Sequence, residues 1–186
     1  MNLRLSSHLR SLWAVAALLA LGACSPDYNW REIREPAAGF HVMLPDKPAS
    51  MSRAIDLDGL PVTMSMTGAR IDDIAFTVGA VQLPDEQPAT REKAVAAMRT
   101  AMVRNIAGRQ TAQSEVEVPV LDAGGGTLGR QPAMRIEAIG RAYDQDAQMA
   151  AEFVARGKRA WQIVVLGPGV PPEQARLFLD SFRIVE

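Results

Sequence analysis

The chain is poor in the residues that carry most enzymatic and metal chemistry. Its 186 residues include one cysteine, Cys24, and two histidines, and aromatic residues make up only 5%. A lone cysteine cannot close an internal disulfide. Beyond residue 23 a single histidine remains, His41. Structural zinc takes four Cys or His ligands and catalytic zinc usually three protein ligands, most of them His, so no metal is expected, and no cofactor. A Ser-His-Asp arrangement would have to use His41 beside a serine on a sharp turn, and no Gly-x-Ser-x-Gly elbow is present. The formal net charge of −1 lacks the basic excess that nucleic-acid binding demands, so no nucleic-acid partner is expected either. Long apolar runs are missing as well. The one candidate, Leu12 to Ala23, reaches only ~18 Å as a helix against the ~30 Å of a bilayer core, which argues against a lasting transmembrane helix.

That short run has another use. Arg4 and Arg10 precede it without an acid, and it closes on small residues, the order of a secretory signal peptide spanning residues 1–23. Its removal takes the formal charge from −1 to −3, because both arginines leave with it. Leu21-Gly22-Ala23-Cys24 resembles the bacterial lipobox, in which the cysteine becomes the acylated first residue of the mature protein. The resemblance implies lipidation of Cys24, membrane association through that lipid, and, from Ser25 in place of aspartate, a periplasm-facing position at the outer rather than the inner membrane. Plain cleavage after Gly22 is the alternative, and it leaves Cys24 as a free thiol. Residues 24–29 read as a lipid-anchored tether, short enough to keep the body near the bilayer.

Residues 30–186 read as a single domain. Phe40, Val42 and Leu44 alternate between Gly39 and Pro45, the pattern of a strand. Ile55 and Leu57 lead through Asp58-Gly59 to Val62, Met64 and Met66, a hairpin whose turn residues need positive φ. A further strand runs from Ile74 to about Leu83. The period then changes: Val95, Met98, Met102 and Ile106 recur at helical spacing behind Thr90 as a candidate cap, with Gly108 as the stop. Val116 to Val120, Met134 to Ala138, Met149 to Phe153 and Trp161 to Val165 return to period two. Pro171 and Pro172 open a second helix with Ala175, Phe178, Leu179 and Phe182 on one face. These elements predict an α+β fold: an antiparallel β-sheet of about seven strands with two packed helices, in the order strands, helix, strands, helix.

Gly39-Phe40-His41-Val42-Met43-Leu44-Pro45, the strand Arg159 to Val165 and the closing Phe178-Leu179-Asp180-Ser181-Phe182 resemble small bacterial envelope lipoproteins with a PsbP-like domain of the DcrB and LpqN type. The resemblance covers roughly Trp30 to Val185. It implies a PsbP-like fold and a role in docking protein partners.

Other features have plain structural readings. His41 falls on the side of its strand opposite Phe40 and Val42, as a solvated residue would. Gly124-Gly125-Gly126-Thr127-Leu128-Gly129 spells a dinucleotide fingerprint but leads into a strand rather than a helix, so it reads as a loop or bulged hairpin end. The acid pairs Asp56/Asp58, Asp72/Asp73 and Asp144/Asp146 suit turns and lack a calcium-loop pattern. Arg130, Arg135, Arg141, Arg156, Lys158 and Arg159 read as a solvated sheet face, or as a basic patch towards anionic headgroups. Met64, Met66, Met98, Met102, Met134 and Met149 read as adaptable core, or as the lining of an apolar pocket. The resulting expectation is a non-catalytic, lipid-anchored envelope protein that binds or scaffolds an envelope protein. The alternatives are a carrier of a small apolar ligand or lipid with a Met-lined pocket, and a hydrolase using paired carboxylates with arginine.

Overall fold

Period-two alternation becomes one long sheet in the computed structural model, which describes residues 28–142 and 144–186. The ten strands are β1 (Arg31–Glu35), β2 (Phe40–Leu44), β3 (Ala49–Asp56), β4 (Pro61–Ile71), β5 (Ile74–Gln82), β6 (Arg109–Leu121), β7 (Thr127–Ala142), β8 (Gln145–Arg156), β9 (Arg159–Gly167) and β10 (Arg183–Val185). Helix α1 (Pro88–Asn105) follows β5, and α2 (Pro172–Ser181) follows β9. Across the sheet the order is β1-β2-β10-β6-β7-β8-β9-β5-β4-β3. Every neighbouring pair is antiparallel except β10 and β6, which run parallel at Ile184–Val120 and Val185–Leu121.

The expected fold class is therefore corrected. About seven antiparallel strands with two helices in a PsbP-like order are replaced by a mostly sheet protein of ten strands in a curled half-barrel. The extra strands lack the signal that would have revealed them. Four of the five residues of β1 are charged, and β10 is three residues long, so neither shows apolar alternation. The curl follows from the length of β6, β7 and β8, because strand twist accumulates over long pairings.

Strand β9 is buried on both faces and divides the core in two. Its odd residues Trp161, Ile163 and Val165 join Phe40 and Val42 of β2, Phe76 and Val78 of β5, and Phe178 of α2 on the inner side. Strands β2 and β5 lie near opposite ends of the sheet order yet share this core, so the sheet bends around α2. Glu35 of β1 even accepts a hydrogen bond from Thr67 of β4 at 3.5 Å. The Trp161 Nε1–H donates to the Ala38 carbonyl at 2.8 Å, fastening the β1–β2 turn over the inner core. Tyr28 stacks on Trp30 and meets Phe76 edge-on, and the Asn29 N–H donates to Pro45, so packing already involves residues 28 and 29. The even residues of β9, Ala160 and Val164, face the outer core with Met64, Ala94, Met98, Met149 and Phe153 beneath α1.

Local chemistry sets the element ends. Asp58 and Gly59 both have positive φ, at 55° and 84°, as the Asp-Gly hairpin requires. Helix α1 starts earlier than the Thr90 cap: Pro88 occupies its first turn behind Gln87, and Thr90 instead bonds Asp85. It ends through Ala107 at φ 43°, one residue before the expected stop at Gly108. Gly108 serves a different need, close approach to β7, where a Cβ would lie 2.5 Å from the Ile139 carbonyl oxygen.

Candidate functional site

A cleft of about 410 Å³ opens where β6, β7 and β8 meet α2. Thr111, Arg135, Glu137, Ile139, Arg176 and Leu179 are among its lining residues. It exists because β6 has full neighbours along only part of its length. β7 pairs with it from Arg109 to Leu121, but β10 reaches only Val120 and Leu121 on its other side. Residues 109–115 are exposed without a break, on both faces, and the register slips at Thr111 between Gln110 and Ala112.

The wall of the cleft is a charge network. Arg135 Nε and Nη2 donate to Glu152 Oε2 at 3.0 and 2.8 Å, and Nη2 also donates to Asp180 Oδ1 at 2.6 Å. Cross-strand pairing of Arg135 with Glu152 places the first two, and the last turn of α2 brings Asp180 to them. The Glu152 side chain is 2% exposed. Burial pushes its carboxyl above the ordinary glutamate range, against the pull of Arg135. Burial also opposes the charge on Arg135, but the hydrogen bonds to Asp180 and Glu152 outweigh it and hold that group above its usual value. Both acids are thus engaged by one guanidinium, which ties α2 to the sheet.

Of the candidate residues singled out from the sequence, Arg135 and Met149 are among those lining the cleft, and the other described ones lie elsewhere. Cys24 and the leader 1–23 lie outside the described residues. His41 sits half-buried on β2, opposite Arg34 and 3.8 Å from Glu32. Gly124 to Gly126 form the β6–β7 turn, where the N–H groups of Gly124 and Gly126 donate to Asp122 at 2.8 Å each. Asp58, Asp72 and Asp144 hold positive-φ turn positions. Of the basic residues of the second half, Arg156, Lys158 and Arg159 lie together at the β8–β9 turn, where Arg156 pairs with Glu186 at 2.5 Å, whereas Arg130 approaches Glu117 at 3.9 Å. Among the methionines, Met64, Met98 and Met149 are buried in the outer core, whereas Met134 lines an open groove of about 520 Å³ with Val95 and Phe153. Among the described residues no cluster of three or more His, Cys, Asp or Glu is placed to hold a metal ion.

The Arg135–Glu152–Asp180 network was not foreseen. Its signal is one acid, Glu152, within the otherwise apolar run Met149-Ala150-Ala151-Phe153-Val154-Ala155. A carboxylate in such a run must be paired when it is buried.

No family model matches the chain, and no curated protein matches it. Among solved structures it is similar to the crystal structure of a protein of unknown function, PA94, from Pseudomonas aeruginosa, at 8% identity and a TM-score of 0.37 over 75% of this chain and 83% of that one. A likeness at that level assigns neither family nor activity.

Proposed function

We propose that the protein is a non-catalytic module of the bacterial envelope, anchored through lipid on Cys24, that holds a protein partner close to the membrane. The observation that supports this most is the unpaired stretch of β6 beside an open cleft, because an unpaired strand edge offers a row of backbone donors and acceptors to another chain. Glu152 and Asp180 are committed to Arg135, and among the described residues Glu137 alone of the carboxylates lines the cleft, so no carboxylate pair faces it for hydrolysis. Four residue steps lead from Cys24 to the packed Tyr28, a reach of at most about 14 Å, so an acylated Cys24 would keep the domain at the bilayer surface. A carrier of a small apolar ligand has weaker support: Met64 and Met98 are buried in packed core, and the groove beside Met134 lies open.

Crosslinking in the intact envelope, followed by mass spectrometry of Cys24 and of co-purifying protein, tests the reading. A diacylglyceryl-modified Cys24 and a crosslinked protein are expected, with the crosslink reduced but not lost in Cys24→Ala. An unmodified Cys24, or no crosslinked protein, would overturn it.

A further inference from the structure

The β6 edge has a direction and a charge. Pro119 pairs with Arg130 of β7 and has no N–H to give, so its side of the alternation faces away from β7. The same alternation, above the bulge at Thr111, turns the backbone groups of Gln113, Glu115 and Glu117 towards the open side. Helices flank that side on both faces. On the outer face Arg99, Val103 and Arg104 of α1 line a groove with Gln110 and Gln113, and on the inner face Arg176 and Leu179 of α2 line the cleft with Thr111. Arg99, Arg104, Arg109 and Arg176 have no ion pair among the described residues, so four cations gather around the start of β6. Two acids accompany them: Glu137, paired with Ala112, lines the inner cleft with Arg176, and Glu115 lies on the outer face at the middle of the strand, so the four cations stay in excess. Strands β1 and β3 also have free edges, as the ends of an open sheet must, but the charges of β3, Arg53 and Asp56, offset each other.

We propose that the β6 edge from Arg109 to Glu115 takes up an extended, acidic segment of a partner protein as an added strand, its backbone bonded to β6 and its carboxylates facing Arg99, Arg104, Arg109 and Arg176. The proposal rests on the docking function above and names the chemistry of what is docked. An extended polypeptide is selected because only a strand matches a row of strand donors and acceptors. Acidic side chains are selected because they neutralise cations that no ion pair among the described residues neutralises. A single segment suits the site better than a second copy of the chain, since a second β6 would arrive with its own α1 and α2 on either side.

The test uses the full chain and two labelled nine-residue peptides, one alternating valine with glutamate and the other with lysine for each glutamate, followed by fluorescence anisotropy at low ionic strength. The acidic peptide should bind about ten-fold more tightly, a preference of the size several partly screened charge pairs supply together. The preference should vanish in Arg99→Glu/Arg104→Glu and persist in Arg53→Glu. Gln113→Pro, which removes one outward N–H, should abolish binding while thermal unfolding stays cooperative; if that variant fails to fold, the arginine variant decides. Equal binding of the two peptides, no saturable binding of the acidic one, or unchanged binding in Gln113→Pro would overturn the proposal. So would a dimer, seen by light scattering, that dissociates in Gln113→Pro, because the edge would then belong to a second copy. A crosslinked envelope protein that survives Gln113→Pro would leave the docking function standing and remove only the β6 assignment.

Discussion

Gly140→Ala tests how the start of β6 is held. A Cβ at residue 140 would stand 2.2 Å from the Ile106 carbonyl oxygen and 2.6 Å from the Gly108 Cα, both backbone atoms of the turn that leads from α1 into β6. Ordinary carbon–oxygen contact begins at roughly 3.3 Å, so the turn must withdraw by about 1 Å. The Ile106 oxygen also accepts the Arg141 N–H at 2.6 Å, and withdrawal weakens that bond. Overpacking costs about 1–3 kcal/mol and a lost hydrogen bond about 1 kcal/mol, which together put the loss near 3 kcal/mol. In a domain of this size that corresponds to a fall in Tm of about 6–12 °C. Urea unfolding at constant m-value and a thermal scan measure it. Gly169→Ala is the control: nothing lies within 4 Å of its added Cβ, and it should stay within about 0.5 kcal/mol of wild type. If Gly140→Ala were equally silent, the close crossing of the α1–β6 turn over β7 would be refuted, and with it the placement of the β6 edge.

Glu152→Gln should flatten one part of the pH–stability profile. Because the folded carboxyl is raised, the native state holds its proton longer than the unfolded chain does, so this group lowers stability as pH rises from about 4.3 through its folded value; the variant should lose that slope in denaturant titrations across the range, and an unchanged slope would contradict the shift. Ala107→Gly should stabilise the protein by about 1 kcal/mol by relieving a left-handed alanine, read as a higher urea midpoint, and a lower midpoint would count against that strain. Phe178→Ala should cost about 3–5 kcal/mol, since the ring is fully buried on α2 and meets Phe76 edge-on at 5.5 Å; equilibrium unfolding that moved by less than about 1 kcal/mol would mean α2 does not fill the inner core as described.

Local pattern was readable where a side chain's surroundings repeat with the period of its element. Strand β2, the Asp58-Gly59 turn and the α2 face of Ala175, Phe178 and Leu179 follow from alternation, turn preference and helical spacing. The first half of β6 was invisible because Gln110 to Ser114 face water on both sides and carry no apolar period. Thr90 misled because Pro88 can begin a helix without a side-chain cap. The candidate site was harder still. Asp180 reaches Arg135 across 45 residues of chain, and neither residue type nor spacing marks the two as partners.

The sequence alone therefore determined the kinds of element, several of their limits and the poverty of metal-binding and histidine chemistry, since each depends on residues and their near neighbours. Tertiary structure decided that β9 is buried on both faces, that β10 slips in between β2 and β6, and that it stops short, leaving β6 open beside α2. Those outcomes depend on which strand edges find each other across the chain. Edge pairing is made through backbone groups that every residue carries, so the side-chain pattern does not name the partner.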